Sequence, residues 1–395
     1  LYAARLVNLP TQLNEKVIAQ IANDVNAIIR QRKGMLVPER LYEFSKLLLL
    51  RLLDEKEYVE GQKGQLEMTS ENLSELKNRN VDIYQWMNRQ FIQIARRTGI
   101  FDASDDLKLS DNDLIRETMG ILDVHALWTR QMEILAQVYE EFLSRTMLGV
   151  DLGQFFTPRQ IVQLIVRMVE PKAGETLLDP ACGTAGFLIY TTIEQAKYVP
   201  EKEYKDLPRS FTGIEIDEHT SKLAKVNSWL HHDAHDSIFR ADSLDPRQSP
   251  DRLKNALKDP EKNGFQNILT NPPFGSKGRN RYDAVTLKDW SEGWRQQDVN
   301  LFECVHLGSN GGAQPESLFI ELCVKALKKP TEPLNGGRLG IVIDYGILSN
   351  TQREEPSVRG VIRRETIVEA LVGLPKGSFK MYGSNVIPCV MIVRR

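Results

Sequence analysis

Leu177-Leu178-Asp179-Pro180-Ala181-Cys182-Gly183-Thr184-Ala185-Gly186-Phe187 reads as a short apolar strand ending on Asp179, a turn holding Gly183 and Gly186, and the opening of a helix. Glycines allow backbone to approach a ligand closely, so this strand, turn and helix describe a pocket at the carboxyl end of a strand. The stretch is not the GxGxxG dinucleotide fingerprint. It also lacks the Gly-Lys-Ser/Thr of a phosphate loop, which disfavours a nucleoside triphosphate. A ligand without phosphates but with an adenosine part fits better.

Outward from this turn, the chain from about Gly153 alternates short apolar runs with helical patterns, the texture of a parallel α/β sheet. The expected strands are Thr176 to Leu178, Phe211 to Ile214, Asn267 to Leu269, Arg338 to Ile343, Ile367 to Val372 and Val386 to Val393. Chemistry in such sheets gathers at the carboxyl ends of the strands. The Gly-, Asn- and Arg-rich stretch from Gly275 to Gly312 is too long for an ordinary connection and predicts a mobile functional loop. Upstream, Ile18, Ile21, Val25, Ile28 and Ile29 recur at helical steps, Ser110 is placed to cap a helix running into Leu114, Ile115 and Met119, and Ile121 to Phe142 repeats the pattern. The reading is an all-helical domain over residues 1–148, packed on its own apolar stripes, followed by an α/β domain over residues 149–395.

Two further strand ends are acidic. Phe211-Thr212-Gly213-Ile214-Glu215-Ile216-Asp217 sets Glu215 where it can accept hydrogen bonds from both hydroxyls of a ribose. The competing reading makes Asp217 a helix cap and leaves Glu215 exposed. Ala241-Asp242-Ser243-Leu244 offers Asp242 as an acceptor for an exocyclic adenine amine.

The next strand leads into Asn271-Pro272-Pro273-Phe274. An exocyclic aromatic amine is a poor nucleophile because its lone pair is delocalised into the ring. Two acceptors aimed at its two hydrogens, the Asn271 side-chain oxygen and the Pro272 carbonyl, favour a pyramidal nitrogen whose lone pair points at a methyl sulfonium. Proline fixes φ and lacks an N–H, so the turn is stiff, and Phe274 gives a flat surface for an extruded base. A plain Asn-Pro turn with a core phenylalanine is the alternative for the tetrapeptide alone.

Composition excludes more than it identifies. With 51 basic and 53 acidic residues the formal charge is −2, so bulk electrostatics do not point to nucleic acid. Cys182, Cys304, Cys323 and Cys389 form no CxxC pair, against a zinc ribbon or a disulfide framework and in favour of a reducing cytoplasm. No apolar run is long enough for a membrane helix. The chain begins at Leu1, so flanking sequence is expected. His231 and His235 have the i,i+4 spacing of metal ligands beside His232, yet no third ligand is evident and no metal is expected. Cys182 needs no nucleophilic role, because amine methylation requires no covalent enzyme intermediate.

The succession of Gly153 to Arg159, Asp179 to Phe187, Gly213 to Asp217, Ala241 to Leu244 and Asn271 to Phe274 resembles the modification subunit of type I restriction-modification systems, which are N6-adenine DNA methyltransferases. The likeness continues through Asp344 to Asn350 and Leu374 to Phe379. It implies a Rossmann-like sheet of the S-adenosylmethionine-dependent methyltransferase kind behind an N-terminal helical domain serving assembly and DNA clamping. It implies that Phe156, Thr157 and Pro158 hold the methionine end of S-adenosylmethionine, that Asp179 and Gly183 line the donor pocket, and that Glu215 takes the ribose and Asp242 the adenine. Asn271, Pro272, Pro273 and Phe274 then form the target-base site. The implied partners are double-stranded DNA, a specificity subunit, a second modification subunit and a restriction subunit. Lys277, Arg279 and Arg281 are candidates for contacts to DNA phosphates. Ala185 departs from the family, where glycine is usual, and a methyl group there is expected to crowd the pocket slightly. Asn267 stands where aspartate is frequent. Methylation of cytosine N4, of RNA or of a protein glutamine, and an inactive DNA-positioning scaffold, are the competing functions.

Overall fold

Strand β1 (Leu177–Asp179) is the pivot of a seven-stranded sheet. In the computed structural model the described residues are 20–21, 23–25, 27–28, 37–102, 105–123, 127, 157–231, 234–274, 282–304, 313–332, 336–349, 357–379 and 387–395. The chain divides into two compact units, Leu1–Val150 with Trp229–His231, and Asp151–Ser228 with His232–Arg395.

The first unit is helical over its described part: α1 (Val37–Val59), α2 (Ser70–Asn78), α3 (Ile83–Thr98) and α4 (Asn112–Leu122). Side-chain caps fix the starts of the last three. Thr69 accepts from the Asn72 N–H and Asp82 from the Gln85 N–H. Asp111, not the expected Ser110, caps α4, because its carboxylate reaches the N–H groups of both Asp113 and Leu114. Helix α1 carries five charged side chains, Glu43, Lys46, Arg51, Asp54 and Glu55, each at most 1 % exposed. All are paired. Lys46 binds Glu43 at 2.7 Å and the Asp106 carbonyl at 2.6 Å; Arg51 binds Glu55 at 2.7 Å and the Met68 carbonyl at 2.9 Å; Asp54 accepts from the Glu67 and Met68 N–H groups. Buried charges persist only when satisfied in this way. From the expected N-terminal stripe Ile21 and Val25 are buried, whereas Ile18 and Ile29 lie outside the described residues, as does most of the run from Ile121 to Phe142.

The second unit runs α5 (Arg159–Val169), β1, α6 (Gly186–Ala196), β2 (Phe211–Glu215), α7 (Glu218–Leu230), β3 (Ile238–Arg240), α8 (Asp251–Lys258), α9 (Pro260–Asn263), β4 (Asn267–Thr270), α10 (Ala284–Arg295), α11 (Pro315–Ala326), β5 (Arg338–Asp344), α12 (Tyr345–Ser349), α13 (Val358–Glu365), β6 (Ile367–Gly373) and β7 (Pro388–Arg394). The strand order is β3-β2-β1-β4-β5-β7-β6. From β1 the chain winds outward through β2 and β3, then returns to place β4 on the other flank of β1, so the topological switch lies between β1 and β4. A crevice opens there at the carboxyl ends of the strands.

Three expectations change. Strand β7 is antiparallel to both neighbours, with Gly340 opposite Ile392 and Ala370 opposite Ile392, so the sheet is mixed. The acidic strand end expected at Asp242, for which no strand range was read, follows the short strand β3, which stops at Arg240. Within the stretch expected to be a mobile loop, residues 284–295 form α10, capped by Asp283 and burying Leu287, Trp290, Ser291 and Trp294 on one face. That i, i+3, i+4, i+7 set is an amphipathic helix packed on a core.

Candidate functional site

The turn after β1 is laid against the end of β2. The Cys182 N–H donates to the Ile214 carbonyl at 2.9 Å and the Gly183 N–H to Glu215 Oε2 at 3.0 Å. Gly183 has φ +53°, a left-handed conformation that glycine adopts without strain. Ala185 follows at φ +68°, fully buried, as the residue from which α6 starts. Gly213 permits the close approach of β2 to this turn: a Cβ there would stand 2.7 Å from Ile238 Cδ1, 2.8 Å from Leu188 Cδ1 and 3.1 Å from Cys182 Sγ.

Three carboxylates stand at the ends of three adjacent strands, and all are buried. Asp179, 1 % exposed, accepts from the Ala181 N–H; burial, reinforced by the charge of Glu215, pushes its carboxyl up to about 7. Glu215 also accepts from the Asp217 N–H at 2.9 Å, and burial, which outweighs these hydrogen bonds, pushes it up to about 7. Asp242 accepts from the Leu244 N–H at 2.9 Å and is likewise raised by burial. The Ser243 hydroxyl donates to the Pro180 carbonyl at 2.6 Å, tying the third turn to the first. Such environments penalise an isolated negative charge and favour donors or a cation as partners.

Asp217 caps α7, accepting from the N–H and hydroxyl of Thr220. Glu215 is buried at 7 % exposure, so only half of the competing reading, the cap, describes the molecule. Asn267 is buried, with its side-chain amide donating to Glu175 at 2.8 Å, which makes it a structural tie at the start of β4.

Across the switch point, β4 delivers Asn271. Its Oδ1 is buried and has no hydrogen-bond partner among the described residues. Pro272 is buried and Pro273 partly so. The Phe274 ring meets Phe379 edge-on, with centroids 5.4 Å apart and planes at 79°. Phe379, 1 % exposed, was given no role from the sequence; an aromatic closing the Leu374 to Phe379 stretch was the available signal. Thr157 and Pro158 stand where α5 begins. That helix runs beside α6, with Val162 Cγ2 3.9 Å from the place a Cβ would occupy on Gly186, so both lie near the glycine turn after β1. Phe156, Lys277, Arg279, Arg281 and His232 lie outside the described residues. Among the described residues no cluster of His, Cys, Asp and Glu is arranged to hold a metal ion, and no helix is long and apolar enough to cross a membrane.

A mixed sheet in this strand order, with a glycine turn after β1 and buried acids after β1, β2 and β3, is the fold of S-adenosylmethionine-dependent methyltransferases, here joined to an N-terminal helical unit. The N-6 DNA Methylase family matches residues 130–395, and the chain belongs to it. Among curated relatives, it is 23 % identical to the type I restriction enzyme EcoEI methylase subunit of Escherichia coli over 69 % of this chain and 49 % of that one. It is 27 % identical to the HindI methylase subunit of Haemophilus influenzae over 72 % and 56 %. The chain thus spans about half the length of these curated relatives. In fold it matches the type I methyltransferase subunit of Streptococcus thermophilus with a TM-score of 0.66 at 18 % identity, covering 97 % of this chain and 85 % of that one. A modification subunit of a putative type I restriction enzyme from Vibrio vulnificus gives 0.60 at 20 % identity, covering 98 % and 82 %.

Proposed function

We propose that this chain is the modification subunit of a type I restriction-modification system, methylating N6 of an adenine turned out of duplex DNA. The observation that carries the reading is Asn271 Oδ1, a buried acceptor with no partner among the described residues, at the switch point of the sheet. An orphaned buried acceptor costs about 1–3 kcal/mol. An exocyclic amine held by Asn271 Oδ1 and the Pro272 carbonyl removes that cost and is driven toward the pyramidal geometry that exposes its lone pair. Phe274, braced edge-on by Phe379, offers its face to the extruded base.

The row of buried acids suits S-adenosylmethionine, whose hydroxyls and amines are donors and whose net charge is positive. When bound, it supplies an electrophilic methyl group on a sulfonium. Glu215 accepts from the ribose hydroxyls, Asp242 from the adenine amine, and Asp179 and Gly183 line the pocket, with Phe156, Thr157 and Pro158 at the methionine end. Lys277, Arg279 and Arg281 contact phosphates beside the target. Target choice belongs to a specificity subunit shared with a second modification subunit, to which a restriction subunit is added, and the helical unit serves that assembly. The names of the curated relatives, methylase subunits of type I restriction enzymes, support this reading.

With its specificity subunit, the protein is expected to transfer radiolabelled methyl groups to adenine in duplex DNA. Asn271→Ala abolishes transfer and leaves donor affinity within about threefold, since Asn271 is assigned to the target amine. Label on cytosine, RNA or protein refutes the adenine assignment. A wild-type chain that binds no donor in calorimetry favours a DNA-positioning scaffold instead.

A further inference from the structure

Helix α10 leaves the target-base turn after an intervening stretch, and it is fastened to the turn that carries Asp242. Trp294, fully buried on α10, donates its indole N–H to the Leu244 carbonyl at 2.8 Å, two residues past Asp242. Gln297, just beyond the helix, donates to the Pro246 carbonyl at 3.2 Å. Gly293 lies so close to the same turn that a Cβ there would stand 2.7 Å from Pro246 Cγ. The Arg247 guanidinium spans Asp245 at 2.9 Å and Asp289 at 3.4 Å, a fourth tie between turn and helix. At the front of α10, Tyr282 packs on Trp290 with ring centroids 5.2 Å apart, and burial together with the charge of Asp242 pushes its phenol up.

These contacts have one target. Asp242 holds its own turn through the Leu244 N–H, which donates to Oδ1, with the Asp245 N–H as a further backbone donor beside it. The carbonyl of that same Leu244 is the acceptor for Trp294. One peptide turn is therefore gripped from both sides, and the direction of the Asp242 carboxylate depends on where α10 holds Leu244.

We propose that Trp294 is a positioning residue for the donor site: through Leu244 it sets the aim of Asp242 and so the preference for an adenine ring over a purine lacking the exocyclic amine. This rests on the donor assignment made above. In adenine the amine donates to the Asp242 carboxylate. In hypoxanthine the same position carries a carbonyl oxygen, which repels it. A carboxylate held in a fixed direction discriminates between the two, because a wrong partner leaves a buried acceptor unpaired. A turn released from α10 lets the carboxylate swing toward solvent, and the preference falls.

The experiment is calorimetric titration, at pH 8, of S-adenosyl-L-homocysteine and its hypoxanthine counterpart S-inosyl-L-homocysteine into the purified chain. Wild type is expected to prefer the adenine ligand by roughly tenfold or more, from the cost of a mispaired buried acceptor. Trp294→Phe keeps most of the ring volume and removes the donor; Gly293→Ala retains the indole donor but pushes α10, and the indole with it, off the Pro246 turn. Both are expected to compress the ratio to about threefold or less, with adenine-ligand affinity falling and hypoxanthine-ligand affinity unchanged. A merely structural defect weakens both ligands together and leaves the ratio intact, and that result overturns the proposal. So does a wild-type ratio retained in Trp294→Phe while the adenine ligand still binds. Failure of wild type to bind the adenine ligand at all overturns the donor assignment itself, and this inference with it.

Discussion

Donor affinity should fall steeply on the acid side of neutrality. Burial holds the Glu215 carboxyl at about 7 where an exposed glutamate sits near 4.5. At about 1.4 kcal/mol per pH unit, ionising it in the free site costs about 3 kcal/mol more than in water. The proposed ribose contact needs the ionised form as acceptor. Donor binding therefore drives a proton off, and below about pH 7 each unit of acid weakens binding up to tenfold. For a site with its free-state value at 7 and a bound-state value below 5, lowering the pH from 7.5 to 5.5 weakens Kd about 25-fold. Asp179, also at about 7 through burial and the Glu215 charge, steepens the slope if it ionises in the same step.

The assay is isothermal titration of S-adenosyl-L-homocysteine across that range in buffers of different ionisation enthalpy, which reads proton release directly. Glu215→Gln is expected to bind weakly at every pH and to lose most of the slope. A flat wild-type profile, or tighter binding in acid, refutes the assignment of Glu215 as the acceptor. The sign for stability runs the opposite way. In the free protein both carboxyls keep their protons to higher pH than in the unfolded chain, so their contribution is complete below about pH 4 and is lost as pH rises through about 7. Adding the donor should offset that loss, seen as a rise in Tm that is larger at pH 8 than at pH 6.

Other consequences are more local. Gly213→Ala forces a Cβ against Ile238, Leu188 and Cys182, and is expected to cost about 1–3 kcal/mol in urea unfolding; an unchanged midpoint would show that the β2 packing is looser than described. Arg51→Ala removes the guanidinium that neutralises the buried Glu55 carboxylate, leaving it the Leu127 N–H, and should destabilise the helical unit by about 3–5 kcal/mol, whereas Arg51→Met paired with Glu55→Leu should recover part of it; equal losses in both variants would contradict the charge-pairing account. Ala185→Gly relieves a left-handed alanine worth about 1 kcal/mol but removes a buried methyl and loosens the unfolded chain, so it should be neutral within about 1 kcal/mol; Ala185→Val should be clearly destabilising, and a stable valine variant would refute the strain.

The features legible in the sequence are those whose signal is confined to a few consecutive residues. A strand that ends on an acid, with a glycine turn behind it in the case of Asp179, is written within about ten positions, which is why Asp179, Glu215 and Asp242 could be singled out before any fold was known. What was hidden depends on contacts distant in the chain. The three residues of β3 are too short to show alternation, and Phe239 is partly exposed. The antiparallel β7 had a readable clue. Residues 374–387 hold a proline and two glycines where a parallel crossover normally needs a helix. Phe379 gains its meaning only from Phe274, about a hundred residues earlier.

The stretch after Phe274 shows why composition misleads at such a place. Its glycines, asparagines and arginines gave the whole of Gly275 to Gly312 the texture of a loop, yet Leu287, Trp290, Ser291 and Trp294 follow helical spacing and are buried. Two tryptophans four residues apart were the stronger signal, because a large aromatic placed in water forgoes more hydrophobic stabilisation than several polar neighbours can offset. The segment that follows the proposed target-base turn is thereby fastened to the turn carrying Asp242, the proposed donor-adenine acceptor, at Leu244 and Pro246. If the two halves of the site share that helix, a substitution that loosens α10 should weaken donor binding even in the absence of DNA. One confined to Asn271 should not.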